Sequence, residues 1–293
     1  MVGFWLYALG ALLVRILPRR LARAVAVRLA DMRFALDSRN RKAVESNVRQ
    51  VLGPGAADVQ VHRLARRIFR NFACLVLEFL SLPQLSRRDL SRDVRIRGWR
   101  HFEAARARGR GVVLLGAHVG SWELGGAVLA KLGVPVAAVA RDHGHPRVTR
   151  FFNRRREAQG IRVVGFKGSA ASEVLRVLRR NGVVALLGDR DLADSGADVR
   201  FFGRPARLPR SPVTLARRTG AAILPAVAVR RERGGLHLIF ERPIFVGDAA
   251  RMGADTSARR CAAALERHIR RHLDQWFAFE RVWEDGNKAS AGT

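Results

Sequence analysis

Beyond Arg92 the chain alternates short apolar runs with segments of helical period, and this alternation restricts the fold more than any other feature of the sequence. Such a texture reads as βα units on a sheet whose strands are mostly parallel. Strands are predicted at 94–97, 111–115, 134–139, 162–164, 182–187, 222–229 and 236–240. Helices are predicted at 101–108, 122–131, 147–159, 171–180, 212–219 and 257–277. The expected class is α/β, with a mixed, largely parallel central sheet flanked by helices. No solenoid period or low-complexity tract interrupts it.

The first 90 residues follow another pattern. From Pro18 apolar positions recur at three- and four-residue spacing, Gly53-Pro54-Gly55 breaks the run, and a further helix is expected over 58–80, with a stripe that includes Val61, Leu64, Ile68, Phe72, Leu75 and Phe79. Ahead of these, the run MVGFWLYALGALLVRIL is short for a spanning helix, which needs about 20 apolar residues. Its arginines follow the apolar stretch, the reverse of a signal peptide. Trp5 and Tyr7 suit a membrane interface, and Arg15, Arg19, Arg20 and Arg23 suit anionic headgroups. An uncleaved anchor dipping into one leaflet is the expectation. The organisation expected is a membrane-anchoring helical segment at 1–90, an α/β domain at 91–285 and a disordered tail at 286–293.

Charge narrows the partners. Lys and Arg number 54 against 25 Asp and Glu, a formal net charge of +29, so the partner is expected to be anionic: nucleic acid, lipid headgroups or an acidic carrier protein. Nucleic acid is disfavoured, because aromatics are not interleaved with the basic clusters and no helix-turn-helix or RNA-binding signature occurs. Cys74 and Cys261 lie far apart with no Cys/His cluster around them, which points to buried thiols rather than a zinc site or a disulfide framework. The His143-Gly144-His145 run reads as a solvated loop rather than a pair of metal ligands, and no metal is expected.

The densest signal is GVVLLGAHVGSWELGG, residues 111–126. An apolar strand runs into a glycine-flanked turn bearing His118, and Glu123 follows five residues later. Within one helix that spacing would turn the two side chains about 140° apart. If Ser121 caps a helix that begins at Trp122, Glu123 lies in its first turn and is placed to point back at His118. A carboxylate would then hold one imidazole nitrogen while the other takes a proton from an attacking hydroxyl. Gly116, Gly120, Gly125 and Gly126 allow close approach of a substrate, and amides at the start of the helix are expected to be free for an oxyanion. Arg141, Arg156 and Arg190 are the cations expected near phosphate, and Asp189 and Asp191 flank Arg190 at a strand end where ligand-contacting residues gather.

AHVGSWELGG resembles the H-x-x-x-x-(D/E) motif of the bacterial lysophospholipid acyltransferase superfamily, in the branch of lipid A secondary acyltransferases and phosphatidylinositol mannoside acyltransferases. Ser121 stands where the branch usually has Asn. The likeness extends through RNRKAVESNVRQVLG with Asn47, CLVLEFLSLP, FFNRRREAQGIRVV with Arg156 before Gly160, and the D-x-D block and F-F-G turn of ALLGDRDLADSGADVRFFGRPARLP. DQWFAFERVW is similar to the terminal Gln-Trp segment, with Glu280 in place of a basic residue.

The resemblance implies acyl transfer from acyl carrier protein or acyl-coenzyme A to a hydroxyl of a membrane glycolipid, without cofactor, metal or covalent acyl-enzyme. It assigns His118 and Glu123 as the catalytic dyad and supports substrate contacts for Arg141, Arg156, Asp189, Arg190 and Asp191. No G-x-S-x-G elbow competes with direct attack. The expected setting is the cytoplasmic face of the bacterial plasma membrane, as a monomer on anionic lipid. A catalytically silent lipid-binding scaffold is the alternative.

Overall fold

The computed structural model describes residues 2–84, 93–165, 170–191, 196–231, 234–246 and 254–283. Four helices lead: α1 (Val2–Ile16), α2 (Arg19–Leu36), α3 (Ser38–Leu52) and α4 (Asp58–Ser81). Then come β1 (Val94–Arg97), α5 (Trp99–Ala107), β2 (Val112–Gly116), α6 (Trp122–Lys131), β3 (Val136–Ala140), α7 (Pro146–Glu157), β4 (Arg162–Gly165), α8 (Ala170–Arg179) and β5 (Val183–Leu187). After these run β6 (Ala197–Phe201), β7 (Arg204–Leu208), α9 (Ser211–Thr219), β8 (Ala222–Arg230), β9 (Leu236–Phe240), α10 (Ala254–Arg271) and a 3₁₀ turn at Leu273–Gln275.

Seven strands form one sheet in the order β1-β9-β8-β2-β5-β3-β4. Every neighbouring pair is parallel except β8 with β9. The expected mixed, largely parallel α/β architecture is therefore present. Because side chains alternate across a strand, the sheet feeds two cores. Val113, Leu115, Val184 and Ile223 point to one, and Val112, Leu114, Val183 and Leu224 to the other. Each is covered by helices, which is why β2 and β5 at the centre read as continuous apolar runs.

Three local features depart from the pattern read in the sequence. The helical stretch after Pro18 is divided at Asp37, whose side chain accepts hydrogen bonds from the backbone and side chain of Asn40 and so starts a new helix. Residues 197–208, expected as a turn-bearing block, form an antiparallel hairpin around Phe202 (φ 49°) and Gly203 (φ 78°). The last helix ends at Arg271 rather than 277 and gives way to the 3₁₀ turn. The expected tail at 286–293 lies outside the described residues, as does the proposed boundary near residue 90.

α1 lies against α4 and α7, with Tyr7 edge-on to Phe152 at 5.1 Å. Among the described residues, no helix is long and apolar enough to cross a membrane.

Candidate active site

The site grows from the C-terminal end of β2, where the chain leaves the sheet at Gly116 and must turn into α6. Gly120 makes that turn possible. It has φ 67°, and a side chain there would sit 2.2 Å from the Ala228 carbonyl oxygen, so only glycine fits. The turn is fastened on both sides. The Gly120 amide donates to the Gln275 carbonyl at 2.9 Å, the Ser121 amide to the Ala228 carbonyl at 2.6 Å, and the Phe277 amide to the His118 carbonyl at 2.8 Å. His118 is thus positioned by two segments distant in sequence, β8 and residues 275–277.

The imidazole is held by a carboxylate, and that carboxylate is Asp189. Nδ1 of His118 lies 2.7 Å from Asp189 Oδ1, and the His118 amide donates to Oδ2 at 3.1 Å. Trp276 Nε1 also donates to Oδ2, at 2.9 Å. Asp189 is completely buried. Burial alone would raise its pKa, but His118, Arg190 and the Trp276 hydrogen bond outweigh it and hold the group well below the ordinary carboxylate value. An ionised acceptor at this distance fixes the proton on Nδ1 and leaves Nε2 as the basic nitrogen. Arg190 Nε, 3.4 Å from Nδ1, is then a neighbouring charge rather than a donor to it, because that nitrogen has no lone pair to offer.

Glu123 has a different partner from the one its spacing suggested. It does lie in the first turn of α6, but its carboxylate is taken by Arg156, with contacts of 2.6, 2.9 and 3.1 Å. The reason is topological. β5 runs parallel beside β2 with Gly116 opposite Leu187, so Asp189, two residues past the strand end, arrives next to His118. Arg156 in turn is committed to Glu123 and to Asn153 Oδ1 at 3.2 Å, with both side chains of the ion pair about nine-tenths buried.

The other expected site residues divide. Arg141, Arg190 and Asp191 line the same cavity as His118 and Glu123. Asp191 also receives the Gly196 amide at 2.6 Å. Asp189, expected to touch substrate, lies beneath His118 instead. Just ahead of α6 the Val119 amide donates to the Ala117 carbonyl within the turn, while those of Gly120 and Ser121 go to Gln275 and Ala228. His143 is half-buried against Phe152 and lines the cavity, while His145 caps α7 by accepting from the Arg147 amide. Cys74 and Cys261 are buried free thiols.

Trp276 and Gln275 were not foreseen as parts of the site. Gln275 clamps the Arg230 backbone from both sides, accepting at 2.9 Å and donating at 3.0 Å, and presents its neighbour Trp276 to Asp189. The DQWF segment carried that signal, because a buried tryptophan beside a buried amide needs polar partners.

His118 stands at the junction of a cavity of about 730 Å³ that reaches both faces of the sheet. On the α6 side its floor is built from Ala138, Ala185, Ala226 and Ala228, with Ala138 paired to Ala185 across β3 and β5. Gly125 of α6 lies above this floor, and a Cβ there would come within 2.7 Å of the Ala228 Cβ. Small side chains on facing elements therefore leave a deep apolar channel where bulkier ones would have closed the core.

The sequence profile of the family described as bacterial lipid A biosynthesis acyltransferase matches residues 1–285. The chain is 32% identical over 288 residues to a phosphatidylinositol mannoside acyltransferase of Mycobacterium tuberculosis (strain ATCC 25618 / H37Rv), covering 95% of this chain and 88% of that protein. It is 32% identical over 222 residues to the protein of that name in Mycolicibacterium smegmatis, covering 75% and 72%. A lipid A biosynthesis acyltransferase of Haemophilus influenzae is 23% identical over 202 residues, covering 69% and 63%.

Proposed function

The chain belongs to the bacterial lipid A biosynthesis acyltransferase family and is an acyltransferase, and from that premise we propose that it moves a fatty acyl group from a thioester donor to a glycolipid hydroxyl. The observation that carries this reading is the placement of His118, oriented by a buried carboxylate at the mouth of a deep apolar channel. The acyl chain occupies the alanine-floored channel, and its thioester carbonyl rests beside His118. The acceptor hydroxyl approaches that carbonyl, Nε2 takes its proton, and the oxygen forms the new ester bond. Collapse of the tetrahedral intermediate breaks the C–S bond, and the imidazolium returns the proton to the departing sulfur. Asp189 stabilises the imidazolium in the interval, and Arg190 places positive charge next to the developing oxyanion.

The donor is acyl carrier protein or acyl-coenzyme A, and the acceptor is of phosphatidylinositol mannoside or lipid A precursor type. The two mycobacterial relatives favour the first acceptor. The work takes place on a membrane. Trp5, Leu6, Leu9, Leu12 and Ile16 of α1 are all exposed, and so are Leu21, Val25, Leu29, Met32 and Leu36 of α2. An apolar surface of that extent, followed by arginines, fits the anionic cytoplasmic face of the plasma membrane.

The test is a transfer assay on protein in anionic lipid, with labelled palmitoyl and lauroyl groups on both donors and a total glycolipid extract as acceptor. A labelled glycolipid that vanishes with His118→Ala supports the reading. Transfer that persists in this variant rules out His118 as the base.

A further inference from the structure

The carboxylate beneath His118 is itself held, and the contacts that hold it lead outward to α4. Asp189 Oδ2 takes two donors, the His118 amide at 3.1 Å and Trp276 Nε1 at 2.9 Å, which leaves Oδ1 turned to Nδ1 of His118. Without the indole N–H the carboxylate has less to stop it rotating, because its terminal torsion is broad. Trp276 is 1% exposed and follows directly on the 3₁₀ turn, so its place depends on what fixes that turn.

α4 fixes it at two successive residues. Asn71 Nδ2 donates to the Asp274 carbonyl at 2.7 Å, and Arg67 meets the Asp274 carboxylate at 2.8 Å. Gln275 is tied to the backbone of Arg230, the last residue of β8, where a strand is prone to fray. The Arg230 guanidinium anchors that end by reaching across to α4, to Glu78 at 2.6 and 3.1 Å and to Asn71 Oδ1 at 3.2 Å. Asn71 therefore serves Asp274 and Arg230 at once.

The Arg230 side chain is about nine-tenths buried. Burial works against its charge, and Glu78 outweighs burial and raises its pKa above the ordinary value. A buried ion pair offers little net stability over two apolar side chains of like volume. What it adds is directional hydrogen bonding that fixes position.

We propose that Arg230 is a positioning residue for acyl transfer: anchored to Glu78 and Asn71, it holds Gln275, and through it Trp276, so that Asp189 keeps Oδ1 on the His118 imidazole. This rests on His118 as the base, as read above. Arg230 does not line the cavity, so its effect falls on the His118–Asp189 pair and not on substrate binding.

The first readout is NMR of full-length protein carrying isotopically labelled histidine, at a pH where the imidazole is neutral. The nitrogen shifts of His118, assigned by their loss in His118→Ala, should place the ring proton on Nδ1 in the parent. Arg230→Met should give a mixture of the two tautomers, Trp276→Phe should do the same, and the two together should go no further than either alone. Glu78→Met/Arg230→Met removes both charges, so its melting temperature should return towards that of the parent while the mixture persists. A parent without the Nδ1 proton, an unchanged tautomer in Arg230→Met, or a tautomer restored in the stable double variant overturns the proposal. Since no substrate is present, this result stands whether or not acyl transfer is found.

Turnover, with palmitoyl-coenzyme A and a total glycolipid extract, is the second readout. Arg230→Met should lower kcat by about 10–100-fold at an unchanged KM, and adding Trp276→Phe should change little more. Losses that multiply would show that Arg230 and Trp276 act separately, and a change confined to KM would assign Arg230 to substrate binding, and either outcome overturns the proposal.

Discussion

Asp189 and His118 are 71 residues apart and 2.7 Å from each other, joined because the parallel strands that carry them end side by side. Their contact specifies which imidazole nitrogen is free. Asp189→Asn keeps the volume but offers either a neutral acceptor or an amide donor to Nδ1, and the donor orientation moves the ring proton to Nε2, removing the base. The expected outcome is a fall in kcat of about 10³–10⁴-fold with the fold retained, by analogy with the serine-protease aspartate. Steady-state kinetics beside circular dichroism checks it. Undiminished turnover would return the orienting role to another group.

Glu123 and Arg156 form another buried ion pair, beside the same cavity. Glu123→Gln leaves a guanidinium buried without its counterion, which should cost about 3–5 kcal/mol of stability. Glu123→Met/Arg156→Met removes both charges and should recover most of that loss in urea unfolding. If Glu123 acts through this pair alone, the double variant also recovers most of the activity lost by the single one. A double variant that is stable yet inactive would restore a direct role for Glu123.

How far the sequence exposed this site depends on the range of each contact. The βα texture located all seven strands of the sheet, because period and apolar content are local properties. His118 and Glu123 were legible one by one for the same reason, although the pairing read from their spacing gives way to Asp189 for the one and Arg156 for the other. The Asp189 contact was not, since it follows from strand order, and β5 lies beside β2 only after a crossover through β3 and β4. Trp276 joins the same carboxylate from the far end of the chain. The β6–β7 hairpin was missed although Val199 and Phe201 alternate with exposed Asp198 and Arg200, because five residues of period two carry little weight between arginines.

With the acyl chain in the channel as proposed, the alanine floor should set the chain length accepted. Ala138→Leu adds three carbons to the channel wall, and each methylene displaced from apolar surroundings is worth about 0.8 kcal/mol. Transfer of palmitoyl should therefore weaken relative to lauroyl by about 10–100-fold in kcat/KM. Competition between the two labelled donors measures this directly. An equal loss for both would place the acyl chain elsewhere.

His268 makes stability sensitive to acid. It is 1% exposed, and burial lowers its pKa from 6.5 to about 4, with His272, Arg267 and Arg271 acting in the same direction and Glu241 against them. The unfolded chain then binds a proton that the folded one refuses between those values, so stability falls as pH drops from 6.5 towards 4. The full contribution is about 3 kcal/mol. Urea midpoints of the parent should decline across this window, and those of His268→Gln should decline less. Parallel curves would show that His268 is not the group responsible.

Membrane attachment is tested on α2, whose exposed stripe Leu21, Val25, Leu29, Met32 and Leu36 follows helical spacing on the side away from the core residues Ala22, Ala30 and Phe34. A helix in an ordinary globular surface would carry polar residues there. Each leucine buried in lipid is worth about 1.5–3 kcal/mol, so Leu29→Glu should lower partitioning onto anionic vesicles by about 10–100-fold. The side chain is 58% exposed, which leaves the melting temperature in solution unchanged. Apolar and electrostatic contributions separate by salt, because binding through Arg19, Arg20 and Arg23 weakens at high ionic strength whereas burial of Leu29 does not. If Leu29→Glu partitions like the parent at every salt concentration, α2 does not touch the bilayer and the stripe must be covered by something else.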